Sequence, residues 1–206
     1  METEKTEKND KVLAMYHAVW KLIEEGKDIH KIKVSDITEC AGIGKGTAYE
    51  YFRTKEEIVT KALQYNTSLQ FRMLYKRIHE QDSYRKGLET CFDWMAETRD
   101  RRHLIFQFMR QSEAGKKLPE CFCCKGETDG RGPFISMIEG ILKDVVQLGR
   151  KEGLVRKELS DHLVTLQILS QLLGFFVYQE FSDFADEADN VKTKNFLCDN
   201  IIKSLR

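Results

Sequence analysis

Residues 33–58 read KVSDITECAGIGKGTAYEYFRTKEEI and contain three helix signals in close succession. Residues 36–41 have the pattern of a short helix, and 42–44, Gly-Ile-Gly, predict a tight turn, because glycine tolerates the positive φ of a C-terminal cap. A second short helix is expected at 45–52, and residues 54–57 form a Thr-x-x-Glu capping box that opens a third, longer helix. Two helices joined by a three-residue glycine turn predict a helix-turn-helix motif.

The second helix of this motif has one apolar side and one thin polar side. At about 100° per residue, Ala48 and Phe52 share a face and are expected to pack inward. The opposite face is short, polar and partly glycine, which lets the helix backbone approach another surface. Such a face suits the major groove of DNA, where small side chains meet base edges and hydroxyl and ammonium groups meet phosphates. Periodicity alone leaves open an ordinary three-helix core with solvated polar faces.

The candidate DNA contacts lie on this polar side and at its two ends. They are Ser35, Lys45, Gly46, Thr47, Tyr49, Glu50, Tyr51 and Lys55. The whole chain carries no net charge, with 33 basic and 33 acidic residues, so bulk charge gives no basic footprint. Between residues 42 and 55, however, Lys45, Arg53 and Lys55 oppose only Glu50. This local excess is the relevant one, since charges beyond about 10 Å are largely screened in physiological salt.

Several residues of the motif stand at fixed spacings across the first third of the chain. They are Ile37, Ala41-Gly42-Ile43, Gly46-Thr47-x-Tyr49-x-Tyr51-Phe52 and Lys55-Glu56-Glu57-Ile58. This set resembles the DNA-binding signature of the TetR/AcrR family of transcriptional regulators. Two positions depart from the family pattern. Lys33 replaces a capping threonine, so that Ser35 or Asp36 would cap the first helix, and Thr38 replaces a small apolar residue.

The rest of the chain is predicted to be helical. Apolar residues recur at helical spacing, and no segment alternates as a strand does. Helices are predicted at 11–25, 54–81, 82–98, 101–111, 134–151, 160–184 and 189–205, with a frayed start at 1–10 and a long loop at 112–133. We therefore expect an all-α fold with two domains. A three-helix DNA-binding domain occupies residues 1–56, and a larger helical domain for effector binding and dimerisation occupies 57–206.

The segment 163–181 is apolar on nearly every face. A helix that is apolar all round must be covered all round, and one small domain offers few neighbours. We expect this helix and the last one to pair with their copies in a second chain, as the family resemblance also implies. A homodimer would present two recognition helices to successive major-groove half-sites. The alternative is a single central helix inside a monomer.

By resemblance, the larger domain binds a small molecule that changes the distance between the two recognition helices. The expected function is a ligand-responsive regulator, a repressor released from a palindromic DNA operator. Wide apolar side chains between 58 and 150 favour an apolar or amphipathic effector, although the same pattern fits a plain core. They are Phe71, Tyr75, Phe92, Trp94, Phe106, Phe108, Met109, Phe134 and Met137, and they leave the effector-binding residues undetermined.

The chain has six cysteines, and without a secretory signal a disulfide framework is not expected. Cys40, Cys91 and Cys198 fall on apolar helical faces and are interpreted as buried thiols. The loop cluster Cys121, Cys123 and Cys124 leaves open a thiol-based redox or metal-sensing regulator. A closed zinc site needs four ligands and the cluster supplies three, so we predict no metal site and no cofactor.

Other classes of function find little support in the sequence. No apolar run approaches the roughly 20 residues that span a bilayer, and the first ten residues are charged, so we expect a cytoplasmic protein without membrane contact. No nucleophile–base pair or Gly-rich phosphate loop is evident, so an enzyme is not expected. A helical interaction protein that does not read DNA remains open. Glu50 favours that alternative, because a carboxylate repels phosphate unless it accepts a hydrogen bond from a cytosine amine.

Overall fold

The computed structural model describes residues 2–102, 133–181 and 187–206. Its complete helices are α1 (Glu2–Glu24), α2 (Val34–Ala41), α3 (Lys45–Tyr51), α4 (Lys55–His79), α5 (Tyr84–Glu97), α6 (Pro133–Lys151), α7 (Asp161–Phe181) and α8 (Glu187–Leu205). These residues contain no strand, and the predicted all-α fold is confirmed. The predicted helix at 101–111 and the loop at 112–133 fall almost entirely outside the described residues.

The described residues fall into two compact units. The first consists of residues 2–69, and the second of residues 70–102, 133–181 and 187–206. Helix α4 contributes its first part to one unit and its last part, from Gln70, to the other. The division of the chain into domains after residue 56 stays a prediction.

The first unit is built on one apolar core. Val19 of α1, Ile37 of α2 and Ala48 of α3 have no exposed surface, so the three helices pack on one another. Helix α1 begins at Glu2, well before the predicted residue 11, and replaces the frayed start that the sequence suggested. Glutamate and lysine, which both favour helix, make up much of this segment and extend α1 beyond its apolar positions.

The second unit has its own core, formed by α5 to α8 with the end of α4. The rings of Phe92 in α5 and Phe175 in α7 meet edge to face, with centroids 5.2 Å apart. Two short ion pairs join α5 to α8. Arg85 Nη1 lies 2.6 Å from Asp199 Oδ1, and Lys194 Nζ lies 2.6 Å from Asp93 Oδ1.

Local caps set the helix bounds in this unit. Ser83 starts α5, since its Oγ accepts the Lys86 N–H at 3.2 Å. Gly153, with a φ of +67°, follows the end of α6. Ser160 Oγ accepts the Leu163 N–H at 3.4 Å at the start of α7. Contacts within four residues thus mark the starts of α5 and α7 and the end of α6.

Helix α7 has one buried side and one exposed side. Val164, Ile168 and Phe175 are buried, whereas the opposite side exposes between 39% and 63% of each apolar residue. These exposed residues are Leu163, Leu166, Leu169, Leu173 and Val177, and we call them the outer face of α7. The described residues do not cover this face, so they do not enclose α7 on all sides. No helix among the described residues is both long and apolar enough to cross a membrane.

We expect Gly149→Ala to destabilise the second unit. A Cβ at position 149 would lie 2.6 Å from Val155 Cγ2 and 3.2 Å from the Tyr84 ring, so neighbouring atoms must move. Overpacking of this kind costs about 1–3 kcal/mol of the free energy of unfolding, measured by urea denaturation. The control is Gly46→Ala in α3, which meets no atom within 4 Å and is expected to leave stability unchanged or raised. Equal stability of both variants would contradict the packing at Gly149.

Candidate nucleic-acid interface and apolar cavity

The turn between α2 and α3 has the geometry that its glycines predicted. Gly42 adopts a φ of +66° and donates its N–H to the Glu39 carbonyl at 3.1 Å. Ile43 donates its N–H to the Thr38 carbonyl at 3.0 Å, which closes the end of α2. Gly44 then returns to an extended conformation and precedes α3. The two helices are therefore joined by three residues, as in a helix-turn-helix motif.

The start of α2 is capped by Asp36. The Lys33 N–H donates to Asp36 Oδ2 at 3.1 Å, which is one of the two hydrogen bonds of a capping box. The other bond, in which a threonine hydroxyl at position 33 would accept a backbone N–H of the first turn, has no equivalent, because a lysine side chain cannot accept. Ser35, the other candidate for capping α2, has an exposed side chain, and its backbone carbonyl accepts a hydrogen bond from the Thr38 hydroxyl at 3.1 Å. Ser35 therefore remains accessible at the edge of the motif.

Helix α3 separates an inner face from an outer face. Ala48 is completely buried and Phe52, directly after the helix, is 4% exposed, which anchors the inner face. On the outer side, Gly46 and Glu50 are exposed, and Tyr49 exposes 53% of its surface. Two predicted contacts are less open: Thr47 is half-buried, and Tyr51 packs partly against the core of the first unit. The outer face thus carries one large side chain, Tyr49, beside small and polar ones.

The predicted lysines differ in their surroundings. Lys45 is exposed at the start of α3 and makes no ion pair with the described residues. Lys55 is only 26% exposed, since its Nζ donates to the His30 carbonyl at 2.9 Å and lies 3.7 Å from Glu56 Oε1. Its ammonium ties the start of α4 to the segment before α2. The exposed Lys33 and Arg53 are further cations of the motif that the predicted contacts omit, and their charge near α3 was the only sequence signal.

The start of α4 confirms the predicted capping box with one difference. The Glu57 N–H donates to Thr54 Oγ1 at 3.1 Å, but the Glu57 carboxylate accepts the N–H of Arg53 at 2.8 Å, one residue earlier than expected. The same carboxylate faces Tyr16, whose pKa is raised by burial and, to a lesser degree, by Glu57. The link from α3 to α4 is therefore held at both ends by hydrogen bonds.

The second unit contains an apolar cavity of about 420 Å³, within the size range of small-molecule sites. Its walls come from the end of α4 and from α5, α6 and α7. The lining residues are Phe71, Leu74, Cys91, Trp94, Met95, Ile138, Ile141, Leu142, Leu169, Leu172, Leu173 and Phe176. Burial, with a smaller effect of Cys198, raises the pKa of the Cys91 thiol to about 12, so that wall stays uncharged at neutral pH. The cavity suits an apolar molecule.

The wide apolar side chains picked out from the sequence divide between cavity and core. Phe71 and Trp94 line the cavity, with their rings 4.6 Å apart, whereas Phe92 lies fully buried in the core. Tyr75 is 41% exposed and stacks on His79. Phe106, Phe108 and Met109, the side chain of Phe134, and the cluster Cys121, Cys123 and Cys124 lie outside what the structure describes. Apolar periodicity could not identify the leucines and isoleucines of the cavity wall, because residues at the same helical spacing are equally expected in a close-packed core.

The remaining predicted thiols are placed mostly as expected. Cys91 and Cys198 are buried, whereas Cys40 is half-buried against the core of the first unit. The described residues bring together no group of three His, Cys, Asp or Glu side chains suited to a metal ion.

The segment that contains the helix-turn-helix motif matches a known family of proteins. Residues 20–62, which contain α2, α3 and the turn between them, match the family model of the bacterial regulatory proteins of the tetR family. No curated protein matches the chain.

Solved structures share the fold over nearly the whole chain at low sequence identity. The transcriptional regulator FadR of Bacillus subtilis, solved with stearoyl-CoA, is 17% identical, with 94% of this chain and 99% of that chain covered and a TM-score of 0.56. NalD of Pseudomonas aeruginosa, the secondary repressor of the MexAB-OprM multidrug efflux pump, is 15% identical, with 97% of both chains covered and a TM-score of 0.56.

A third structure comes from Mesorhizobium loti and is assigned to the TetR-family transcriptional regulators. It is 17% identical to this chain, with 97% of this chain and 96% of that chain covered, and its TM-score is 0.65. The described helices thus have the fold of such regulators, and the helix-turn-helix lies in the segment that the family model matches. Residues 20–62 are therefore similar to the N-terminal domain of the tetR family of bacterial regulatory proteins, in the same part of the chain where the sequence resemblance lies.

Proposed function

We propose that this protein is a ligand-responsive transcriptional regulator that binds a palindromic DNA operator and is released from it by a small apolar or amphipathic effector. The observation that carries the proposal is the outer face of α3, where Gly46, Tyr49 and Glu50 are exposed behind a fully buried Ala48. A helix that is thin on its outer side can enter the major groove, which is about 12 Å wide. Lys45 and Ser35, both exposed, are suited to phosphate contacts at the groove edges.

Recognition of a palindromic operator requires a homodimer, and the exposed outer face of α7 supports one. Leu166 and Leu173 expose 55% and 63% of their surfaces, and Phe196 of α8 exposes 63%. Apolar groups of this size are stabilised when removed from water. Pairing α7 and α8 with their copies would bury them and give each protein two recognition helices. Their half-sites would then lie about 34–36 Å or a multiple of this apart.

The effector would bind in the cavity of the second unit. All of its walls are apolar, which favours a molecule with a large hydrocarbon part, and one protein with this fold, FadR, has been solved with stearoyl-CoA. Helix α4 would transmit the effect of ligand binding to the helix-turn-helix motif, because it contains Phe71 of the cavity wall and begins directly after α3. The effector releases DNA only to the extent that it binds one spacing of the recognition helices better than the other.

Two other functions were left open by the sequence. A helical interaction protein that does not read DNA is the second candidate, and the exposed carboxylate of Glu50 on the outer face of α3 favours it. A thiol-based or metal-sensing regulator would depend on Cys121, Cys123 and Cys124, for which no described residue adds support. The DNA-binding regulator is thus the function we favour. Selection of bound sequences from random duplex DNA tests it, since a recovered palindrome is expected and the absence of any enriched sequence would refute it.

We expect Glu50→Ala to relax base preference at one position of each half-site. The exposed Glu50 carboxylate can accept a hydrogen bond from a cytosine amine, and losing that contact should reduce discrimination there by about tenfold. Fluorescence anisotropy with single-base operator variants measures the effect. The control is Glu39→Ala, which removes the same charge from an exposed residue of α2. Identical sequence preference for Glu50→Ala and the parent protein would favour the interaction-protein alternative.

Lys45→Ala should weaken binding to every DNA sequence by a similar factor. Loss of one phosphate contact lowers the slope of log K against log salt concentration by about one. The matched control is Lys157→Ala, an exposed lysine of the second unit with the same charge change. For Lys55→Ala we expect the same change in slope together with reduced stability, because its ammonium also binds the His30 carbonyl. An unchanged slope for Lys45→Ala would remove Lys45 from the interface.

Leu166→Glu should separate the dimer. Leu166 belongs to the outer face of α7 but does not line the cavity, so its replacement tests dimerisation alone. Burying an unpaired carboxylate at a subunit interface should weaken association by about a hundredfold or more, which sedimentation equilibrium would detect. Met73→Glu is the control, since Met73 is similarly exposed, at 58%, on α4. Equal masses for both variants and the parent protein would exclude α7 from the interface.

A further inference from the structure

The wall that α7 contributes to the apolar cavity differs from the walls of the other three helices. Leu74 of α4, Cys91 of α5 and Leu142 of α6 line the cavity and are at most 4% exposed. On α7, by contrast, the lining residues Leu169 and Leu173 are 39% and 63% exposed. The other described lining residues are buried or half-buried. On the α7 side, single side chains therefore separate the cavity from solvent.

The angular order of side chains around α7 explains why two leucines touch both the cavity and solvent. At about 100° per residue, Leu172, Phe176 and Leu169 lie within about 60° of one another on the cavity side. Leu173 lies about 40° beyond Leu169, and Leu166, which does not line the cavity, lies about 20° further on. The cavity side and the outer face of α7 are thus neighbouring stripes of one helix, and they share Leu169 and Leu173.

A second copy of the chain is the partner that suits this outer face. Residues 162–179 contain no Asp, Glu, Lys or Arg, and the cores of subunit interfaces are depleted of charge. Ser170 and Gly174 are small, exposed and one helical turn apart on the same face. A Cβ added at Gly174 would meet no other part of the described chain within 4 Å, so another helix can approach closely there. An uncharged apolar face is complementary to its own copy, as a two-fold interface requires.

We propose that each effector site is completed by the partner subunit, because the outer face of the partner's α7 lies across Leu169 and Leu173 and covers the thin wall of the cavity. The inference rests on the proposed dimer and effector function, and it adds that ligand binding and dimerisation strengthen each other. The partner removes the thin wall and the ligand behind it from water. The ligand, in turn, fills the space behind the two leucines that the partner contacts.

The test compares ligand binding by the dimer and by separated subunits, with 1-decanol as the apolar probe. Leu166→Glu in α7 and Phe196→Glu in α8 each place a charge on an exposed residue of the proposed interface, and neither residue lines the cavity. Met73→Glu is the control, since Met73 is exposed on α4, lies outside the cavity lining and gains the same charge. Sedimentation equilibrium gives the oligomeric state, melting temperatures verify folding, and calorimetry gives the affinity for 1-decanol.

We expect the parent dimer and Met73→Glu to bind 1-decanol about tenfold more tightly than either monomeric variant. This is the effect of removing about 55 Å² more apolar surface from water. Coupling between two binding events is reciprocal, and each dimer has two sites. Saturating 1-decanol should therefore lower the dimer dissociation constant of the parent protein about a hundredfold, the square of the first factor.

The outcomes separate this inference from the proposed function. Four results would overturn it: no binding of 1-decanol, equal affinity in dimer and monomers, a loss in monomeric Leu166→Glu that monomeric Phe196→Glu does not share, or dimers that persist in both variants. If the affinities were equal and 1-decanol still released operator DNA, the proposed function would stand without a shared site. If 1-decanol strengthened the dimer but left operator affinity unchanged, the inference would hold and the proposed effector control would fail.

Discussion

The geometry of the DNA-binding motif depends on the packing of two side chains, Ala48 and Phe52. Helix α3 has only seven residues, far fewer than the roughly 12–15 that an isolated helix needs in water. Its place is therefore fixed by contacts of its inner face, where Ala48 is fully buried and the Phe52 ring lies 6.0 Å from that of Tyr16. Because the inner face alone anchors α3, its outer face can carry glycine and polar residues without loss of structure.

The second unit uses the same all-helical construction for a different purpose. Protein interiors are normally close-packed, and a cavity of about 420 Å³ forfeits contacts that Leu, Ile and Phe side chains would otherwise make. Its walls present only apolar surface to the space between them. Leu169 and Leu173 belong both to these walls and to the outer face of α7. A ligand in the cavity and a second chain on α7 would thus contact the same helix.

The features that local chemistry controls were predicted well. A positive φ at Gly42 and the capping hydroxyl of Thr54 before α4 each depend on neighbours within four residues, and both occur as expected. Contacts between distant residues were not predictable in this way. Lys55 binds the carbonyl of His30, 25 residues earlier, and no spacing in the sequence indicates that contact. This hydrogen bond gives Lys55, which the sequence suggested only as a candidate DNA contact, a structural role within the motif.

The sequence by itself determined the helical class, the helix-turn-helix and its place in the first third of the chain. These follow from apolar periodicity and from capping residues, which act within one or two helical turns. Only the tertiary structure decided that Trp94 lines a cavity while Phe92, two residues earlier on α5, fills the core. It also decided which side of α7 stays exposed. Periodicity identifies an apolar face, but what that face contacts depends on how helices far apart in the chain come together.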